Sequence, residues 1–139
     1  MTDIVITATN TVPKANAITQ SGTAGATITQ GQAVYLDAST NLIKLANALT
    51  SLATATCVGI ALTSAATNQP VVFQTGGDIT LGATLTVGAV YVNSGASNGG
   101  IAPVADLTTG WYTNILGVAI STTVMTILNR GGSTLTAHS

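Results

Sequence analysis

Charge is scarce in this sequence of 139 residues, which has three lysine and arginine residues, four aspartates and no glutamate. Charged residues make up 5% of the chain, against about 25% in an ordinary soluble domain. A surface with so little positive charge lacks the patch that neutralises phosphates, so the composition argues against nucleic-acid binding. It also produces little self-repulsion, which suits a protein packed densely beside its own copies, although a weakly charged soluble monomer would have the same composition.

Groups that carry chemistry are equally scarce, since the chain has one cysteine, Cys57, and one histidine, His138. The four aspartates are scattered, so the sequence offers neither a general acid and base pair nor a metal-ligand cluster. A nucleophile would need a base, and the histidine is the penultimate residue of the sequence. We therefore expect no enzyme activity and no catalytic, cofactor-binding or metal-binding residues, and we interpret Cys57 as a small buried hydrophobe.

Long apolar runs are missing as well, because threonine and glycine interrupt every apolar stretch before it reaches 18 residues. This pattern argues against a transmembrane helix and predicts no membrane partner. The first residues have no basic region and no continuous apolar region, so no signal peptide is expected and the mature protein is expected to start at Met1. A lone cysteine fits synthesis in a reducing cytoplasm.

The sequence does contain an internal repeat. Residues 26–37 (ATITQGQAVYLD) return as residues 83–93 (ATLTVGAVYVN), residues 58–62 (VGIAL) as 116–120 (LGVAI), and residues 73–77 (FQTGG) as 128–132 (LNRGG). We predict two pseudo-twofold-related copies of one unit, at about residues 26–79 and 83–136, inside a single β domain at residues 17–139. Halves of this size would be marginal alone, so they are expected to share one core.

Alternating side chains predict short strands separated by turns. In the first copy Val34 and Leu36 would face the core and Tyr35 the opposite side, and in the second copy Val90 and Val92 would face the core and Tyr91 the opposite side. Asp37 and Asn93 stand at matching turn positions, so each run is expected to begin a hairpin, and Pro103 would place the second return strand at an edge. Both later strands are expected to end at a Gly-Gly turn.

The remaining segments fit an all-β fold. Gly59 and Ala61, like Gly117 and Ala119, leave one strand face almost bare, which allows a second layer to approach closely. A short helical turn is expected within residues 46–56, and another could begin at Asp106 as its N-cap. A last short strand is expected at residues 134–136. The fold class predicted is a compact β-barrel or sandwich with little helix.

Residues 1–16 lie outside the repeat and form either an arm that contacts a neighbouring subunit or partner, or an ordinary edge strand. The apolar residues there are the candidate capsid or subunit interface: Ile4, Val5, Ile6, Val12 and Pro13. Trp111 is interpreted as a plug closing one end of a barrel, with an exposed binding aromatic as the alternative. In that alternative Trp111, Tyr112 and Tyr91 would form a platform for a carbohydrate.

The segments 25–37 (GATITQGQAVYLD), 58–62 (VGIAL) and 74–77 (QTGG) resemble those of the small head-decoration, or cement, proteins of tailed bacteriophages. The likeness covers roughly residues 17–130. It implies a structural virion protein on the outer capsid surface, with the major capsid protein as its partner, self-association as a homotrimer, and no catalytic residues. A phage head-fibre or tail component, or a carbohydrate- or cell-surface-binding β module, is the alternative.

Overall fold

The computed structural model describes residues 4, 6, 11–49, 54, 56–106, 111, 112 and 114–130, with the backbone alone at residues 106, 129 and 130. These residues form ten strands and one short 3-10 turn at Val104–Asp106. The strands are β1 (Val12–Pro13), β2 (Ile18–Thr23), β3 (Ala33–Asp37), β4 (Leu42–Leu45), β5 (Gly59–Ala61), β6 (Pro70–Thr80), β7 (Val90–Asn93), β8 (Ile101–Pro103), β9 (Ile115–Ala119) and β10 (Val124–Arg130).

All ten strands belong to one curled antiparallel sheet, which makes half of a barrel. Its strand order is β4-β3-β5-β6-β10-β9-β7-β8, and β1 and β2 pair with β6 beside this path. The predicted all-β class is therefore confirmed. Both predicted hairpins, β3–β4 and β7–β8, are present, and Pro103 lies on the edge strand β8.

The strand order fits two copies of a four-stranded unit, β3–β6 and β7–β10. Each copy has the same internal order, and the two copies meet where β6 pairs with β10. Tyr35 lies opposite Lys44 in the first hairpin and Tyr91 opposite Pro103 in the second, at matching positions. These features support the repeat, which stays a prediction. The third sequence match is out of register with the pairing, because Ala61 lies opposite Phe73 and its counterpart Ala119 lies opposite Met125 rather than Leu128.

The prediction that the later strands end at Gly-Gly is wrong for the first one. Strand β6 continues through Gly76 and Gly77 to Thr80. Gly77 has a φ of +81°, and a Cβ there would collide with the carbonyl of Asn16. The chain thus passes through the two glycines as a strand instead of a turn: the β2–β6 register shifts just before them, at Thr75, and Gly77 allows the backbone of Asn16 to approach closely. The corresponding Gly-Gly pair, residues 131–132, lies outside the described residues.

The interior has a large apolar cluster to which both halves of the chain contribute. Its buried members are Ala33, Ala46, Cys57, Ile60, Ile79, Leu81, Leu85, Tyr91, Ile101, Leu116, Ala119, Met125 and Ile127. A smaller cluster lies within the first half, around Ile28, Val34, Val71 and Phe73. The expected bare-faced positions Gly59, Ala61, Gly117 and Ala119 are buried, as a close second layer requires.

Three of the expected side-chain positions are wrong, those of Val90, Leu36 and Tyr91. The sequence predicts Val90 in the core, but it is half-buried and lies outside both larger core clusters. Leu36 is 45% exposed, although it shares a strand face with buried Val34, because it stands near the tip of the β3–β4 hairpin beside an open cleft. Tyr91 is only 2% exposed, because its ring belongs to the large core cluster. The segment after β4 covers the other face of the β7–β8 hairpin, where Ala48 packs with Ala102.

The other expected elements are mostly outside the described residues. Positions 50–53 and 55 of the expected turn at 46–56 lie there, as do residues 107–110 and the whole of 131–139. Asp106 is the last residue of a 3-10 turn rather than the N-cap of a helix. Among the described residues, no helix has the length and apolar character needed to span a membrane.

Candidate docking surface

The outward side of the sheet carries an apolar surface built by strand register. In one row Val12 lies opposite Thr80 and Thr80 lies opposite Val124, so the three side chains project from the same face of β1, β6 and β10. Ile120, just after β9, donates its backbone N–H to the carbonyl of Val124 at 3.0 Å and extends this row.

A second row runs parallel to the first. Thr126 of β10 lies opposite Val118 of β9, and Val118 lies opposite Val90 of β7. Directly opposite residues in an antiparallel pair share a face, so the two rows form one surface across five strands. We call the residues Val12, Val90, Val118, Ile120 and Val124 the outer face.

Strand alternation explains why these side chains point outward. In β10, Met125 and Ile127 are buried in the large cluster, so the neighbouring Val124 and Thr126 must project from the opposite side. Val12 and Ile120 are 50% and 52% exposed. Val90, Val118 and Val124 are half-buried and belong to neither of the two larger core clusters. Apolar side chains concentrated on the solvent side of a sheet are typical of an interaction surface.

The polar groups within this surface bond to one another. Thr126 Oγ1 donates a 2.6 Å hydrogen bond to Asp78 Oδ1, across the β6–β10 pair. This contact engages the Thr126 hydroxyl and one oxygen of Asp78, the only carboxylate of the two rows. Binding at this surface therefore requires a partner that offers apolar contact and matching shape, with little demand for opposite charge.

The single ion pair among the described residues lies elsewhere, on the β3–β4 hairpin. Lys44 Nζ is 2.7 Å from Asp37 Oδ2, and these side chains are 31% and 20% exposed. The hydrogen bond from Lys44, followed by those from the Ser39 hydroxyl and backbone N, holds the pKa of Asp37 well below its usual range. The Ser39 N–H bond confirms the expected turn role of Asp37.

The candidate interface residues predicted near the amino terminus divide into two groups. Ile4 and Ile6 pack against the large core cluster, and the backbone N of Ile4 donates a 2.9 Å hydrogen bond to the carbonyl of Ile101 on β8. Val12 and Pro13 form β1, both exposed, and Val12 belongs to the outer face. Val5 lies outside the described residues. The segment thus lies along its own domain at the described positions, and Val12 alone joins the apolar surface.

Among the described residues, the candidate groups for chemistry are not assembled into a site. Cys57 is 4% exposed, and burial raises the pKa of its thiol, so its interpretation as a buried hydrophobe is confirmed. His138 lies outside the described residues. Within the described part of the chain, no three histidine, cysteine, aspartate or glutamate side chains lie close enough together to hold a metal ion.

The three aromatic residues of the alternative platform do not make an exposed surface. Trp111 is 7% exposed and packs with Ala48 and Ala102, and its indole fills the space that a side chain at Gly95 would need. Tyr91 is buried, and its hydroxyl accepts a 3.0 Å hydrogen bond from the backbone N of Thr86. Tyr112 is half-buried. A glycan platform needs exposed rings, so this reading of the aromatic residues is wrong.

The sequence contained part of the signal for the outer face. The alternation in residues 116–120 separates bulky Leu116, Val118 and Ile120 from small Gly117 and Ala119, but it does not say which face is inside. The structure buries Gly117 and Ala119 and turns Val118 and Ile120 outward. Leu116 is fully buried in the large cluster, at the point where the β7–β9 register shifts. The alternation alone shows neither which face is inside nor where it is interrupted.

Comparison of the chain with known protein families, with curated proteins and with solved structures found no match. The fold and the surface therefore define the class: an all-β protein with a curled antiparallel sheet and an apolar outer face.

Proposed function

We propose that this protein is a structural virion protein of a tailed bacteriophage that binds the outer surface of an assembled capsid and stabilises it. The outer face is the observation that carries the proposal, because it offers an apolar, almost charge-free surface on a rigid sheet. The resemblance of residues 25–37, 58–62 and 74–77 to head-decoration proteins supplies the partner, the major capsid protein, and the expected homotrimer.

The stabilising mechanism is preferential binding. A protein that binds assembled shells more tightly than free subunits shifts the equilibrium toward the shell by the difference in affinity. No reacting group is needed for this effect, which suits a chain whose buried thiol and scattered carboxylates form no reactive cluster among the described residues.

The phage proposal is tested by adding the purified protein to shells assembled from the major capsid protein and measuring co-sedimentation and the shell's melting temperature. We expect saturable binding and a higher melting temperature. Val118→Lys and Ile120→Lys should each weaken binding, because they place a charge in the apolar contact. Leu49→Lys is the matched control, since Leu49 is 53% exposed but lies outside the outer face.

The salt dependence separates this mechanism from an electrostatic one. Apolar contact predicts little change in occupancy between low and high salt, whereas charge attraction is screened. A steep loss of occupancy with salt, or equal binding by the Val118→Lys and Leu49→Lys variants, would contradict docking through the outer face. Absence of binding by the parent protein would contradict the virion proposal itself, and the solution mass would test the trimer.

A further inference from the structure

Strand β2 has an open edge. Within the described part of the chain it forms a ladder with β6 alone, from Ile18 opposite Gly76 to Thr23 opposite Pro70. All its residues are exposed except Gly22, which is half-buried, and Ile18 reaches 61% exposure. An edge strand presents alternate backbone N–H and C=O groups on its outer side, which makes it a template for another extended chain.

The other edges of the sheet carry features that block such pairing. Strand β4 contains Lys44, and the carbonyl of Ile43 accepts a 2.7 Å hydrogen bond from the backbone N of Gly25. Strand β8 ends in Pro103, and Ile4 bonds to its Ile101 carbonyl. Strand β1 ends in Pro13. Lysine, proline and local covering are the usual protections of an edge, and β2 has no lysine and no proline.

A cleft of about 230 Å³ adjoins this open edge. Its apolar part comes from buried Ile43 and Phe73, half-buried Val58 and exposed Leu36, where β2 diverges from the β3–β4 hairpin. Its polar part consists of Gln20, Ser21 and Asn41. No charged side chain lines the cleft, so it favours an uncharged occupant with an apolar side chain.

We propose that the outer edge of β2 is a strand-addition site for an extended, uncharged segment of a partner polypeptide, one apolar side chain of which enters the adjoining cleft. Main-chain hydrogen bonds would provide affinity and the cleft would provide selectivity for alternate side chains. A second copy of β2 is the other candidate occupant and an outcome of the test. On the face of Gln20 and Gly22 that copy offers one apolar side chain, Ile18, at the first position of the strand.

The test uses the full chain and a blocked, uncharged hexapeptide of alternating threonine and valine. Backbone amide shifts and hydrogen exchange are followed while the peptide is added. We expect alternate amides among Thr19, Gln20, Ser21 and Gly22 to exchange at least about tenfold more slowly in the bound state. A peptide with proline in place of each threonine should not protect them, because proline has no N–H to donate.

Matched variants locate the site. Gln20→Lys puts a charge on the edge and in the cleft and should weaken peptide binding by at least about tenfold, as lysine does at protected edges. Thr84→Lys, at another exposed position, should bind like the parent. Absence of binding, protection confined to another strand, or equal binding by both variants would overturn the proposal. In the absence of peptide, amide exchange at β2 that becomes slower as the protein concentration rises would identify a second copy as the occupant. That result would also overturn the proposal. The proposed virion role is not involved, since the experiment contains no shell.

Discussion

The backbone N of Cys57 donates a 2.9 Å hydrogen bond to Oδ1 of Asn114, 57 residues further along the chain. The side chain of Asn114 is 1% exposed and its Nδ2 donates to the carbonyl of Ile115. Cys57 stands just before β5 and Asn114 just before β9, so one side chain fixes the spacing between corresponding points of the two halves. The buried side-chain amide of Asn114 thus supplies an acceptor for a buried backbone N–H that would otherwise have no hydrogen-bond partner.

Replacing Asn114 with alanine removes this acceptor. Because the Cys57 N–H would stay buried without a partner, we expect Asn114→Ala to lower the free energy of unfolding by about 1–3 kcal/mol. Chemical denaturation measures the change. Asn98→Ala is the control, since Asn98 Oδ1 accepts an exposed 3.0 Å hydrogen bond from Asn47 Nδ2, and its loss should cost about 0.5 kcal/mol or less. Equal losses of unfolding free energy in the two variants would show that the Cys57 hydrogen bond stabilises the fold no more than the exposed Asn47–Asn98 bond does.

Gly59 and Gly117 should resist substitution for the same steric reason. A Cβ at Gly59 would collide with the carbonyl oxygen of Gln74, and one at Gly117 with the carbonyl oxygen of Thr126. Main-chain atoms in a ladder cannot move aside as a flexible side chain does, so Gly59→Ala and Gly117→Ala should each destabilise the fold by about 1–3 kcal/mol.

Gly76→Ala is the control for these glycines. The three atoms nearest to its Cβ would all belong to Ile18, with Cδ1 the closest at 3.2 Å, and that exposed side chain can shift. The cost should be about 0.5 kcal/mol or less. Denaturation curves for the three variants give their free energies of unfolding. A Gly59→Ala protein as stable as Gly76→Ala would contradict the tight β5–β6 packing.

The Asp37–Lys44 pair predicts one pH dependence. Because the pKa of Asp37 is lower in the folded than in the unfolded chain, its contribution is present above the unfolded value of about 4 and is lost as the pH falls below it. We expect Asp37→Asn to lose less melting temperature than the parent between about pH 5 and about pH 2. Lys44→Met should flatten the profile similarly. Profiles of identical steepness in all three proteins would contradict the pairing.

The Cys57 thiol should be inert in the folded protein. It is buried, and burial raises its pKa, so the reactive thiolate is scarce at neutral pH. Labelling with a thiol-specific disulfide reagent should be slow in buffer and complete in denaturant. Rapid labelling in buffer at the rate of the unfolded chain would show that the thiol is accessible.

The local pattern of the sequence predicts the hairpins well, because turn residues and alternation act within a few positions. Asp37 bonds the Ser39 backbone and Asn41 adopts a φ of +61°, which are short-range effects. The repeat also led to the matched hairpin positions of Tyr35 and Tyr91. The turn predicted at Gly76 and Gly77 is wrong because glycines also occur inside a strand where another backbone approaches closely, here that of Asn16 at Gly77, and the sequence does not show that approach.

Burial was harder to predict, since it depends on which distant segment covers each face. Tyr91 is buried because residues from both halves of the chain surround it in the large cluster, and Leu36 is exposed because it borders the open cleft between β2 and the β3–β4 hairpin. The outer face follows from the same cause. Val118 and Ile120 look like core residues in isolation, and their outward direction is set by the pairing of β9 with β7 and β10.

Strand β6 lies near the middle of the chain and pairs with β1, β2, β5 and β10. During synthesis β1 and β2 cannot pair until β6 has been made. Strand β6 in turn lacks one of its partners until β10 has been made. Ordering so many remote segments at once makes chain closure costly, so refolding should be slow and should occur as a single concerted event. An isolated half of the polypeptide would keep one side of this central strand bare and would be a poor independent folding unit.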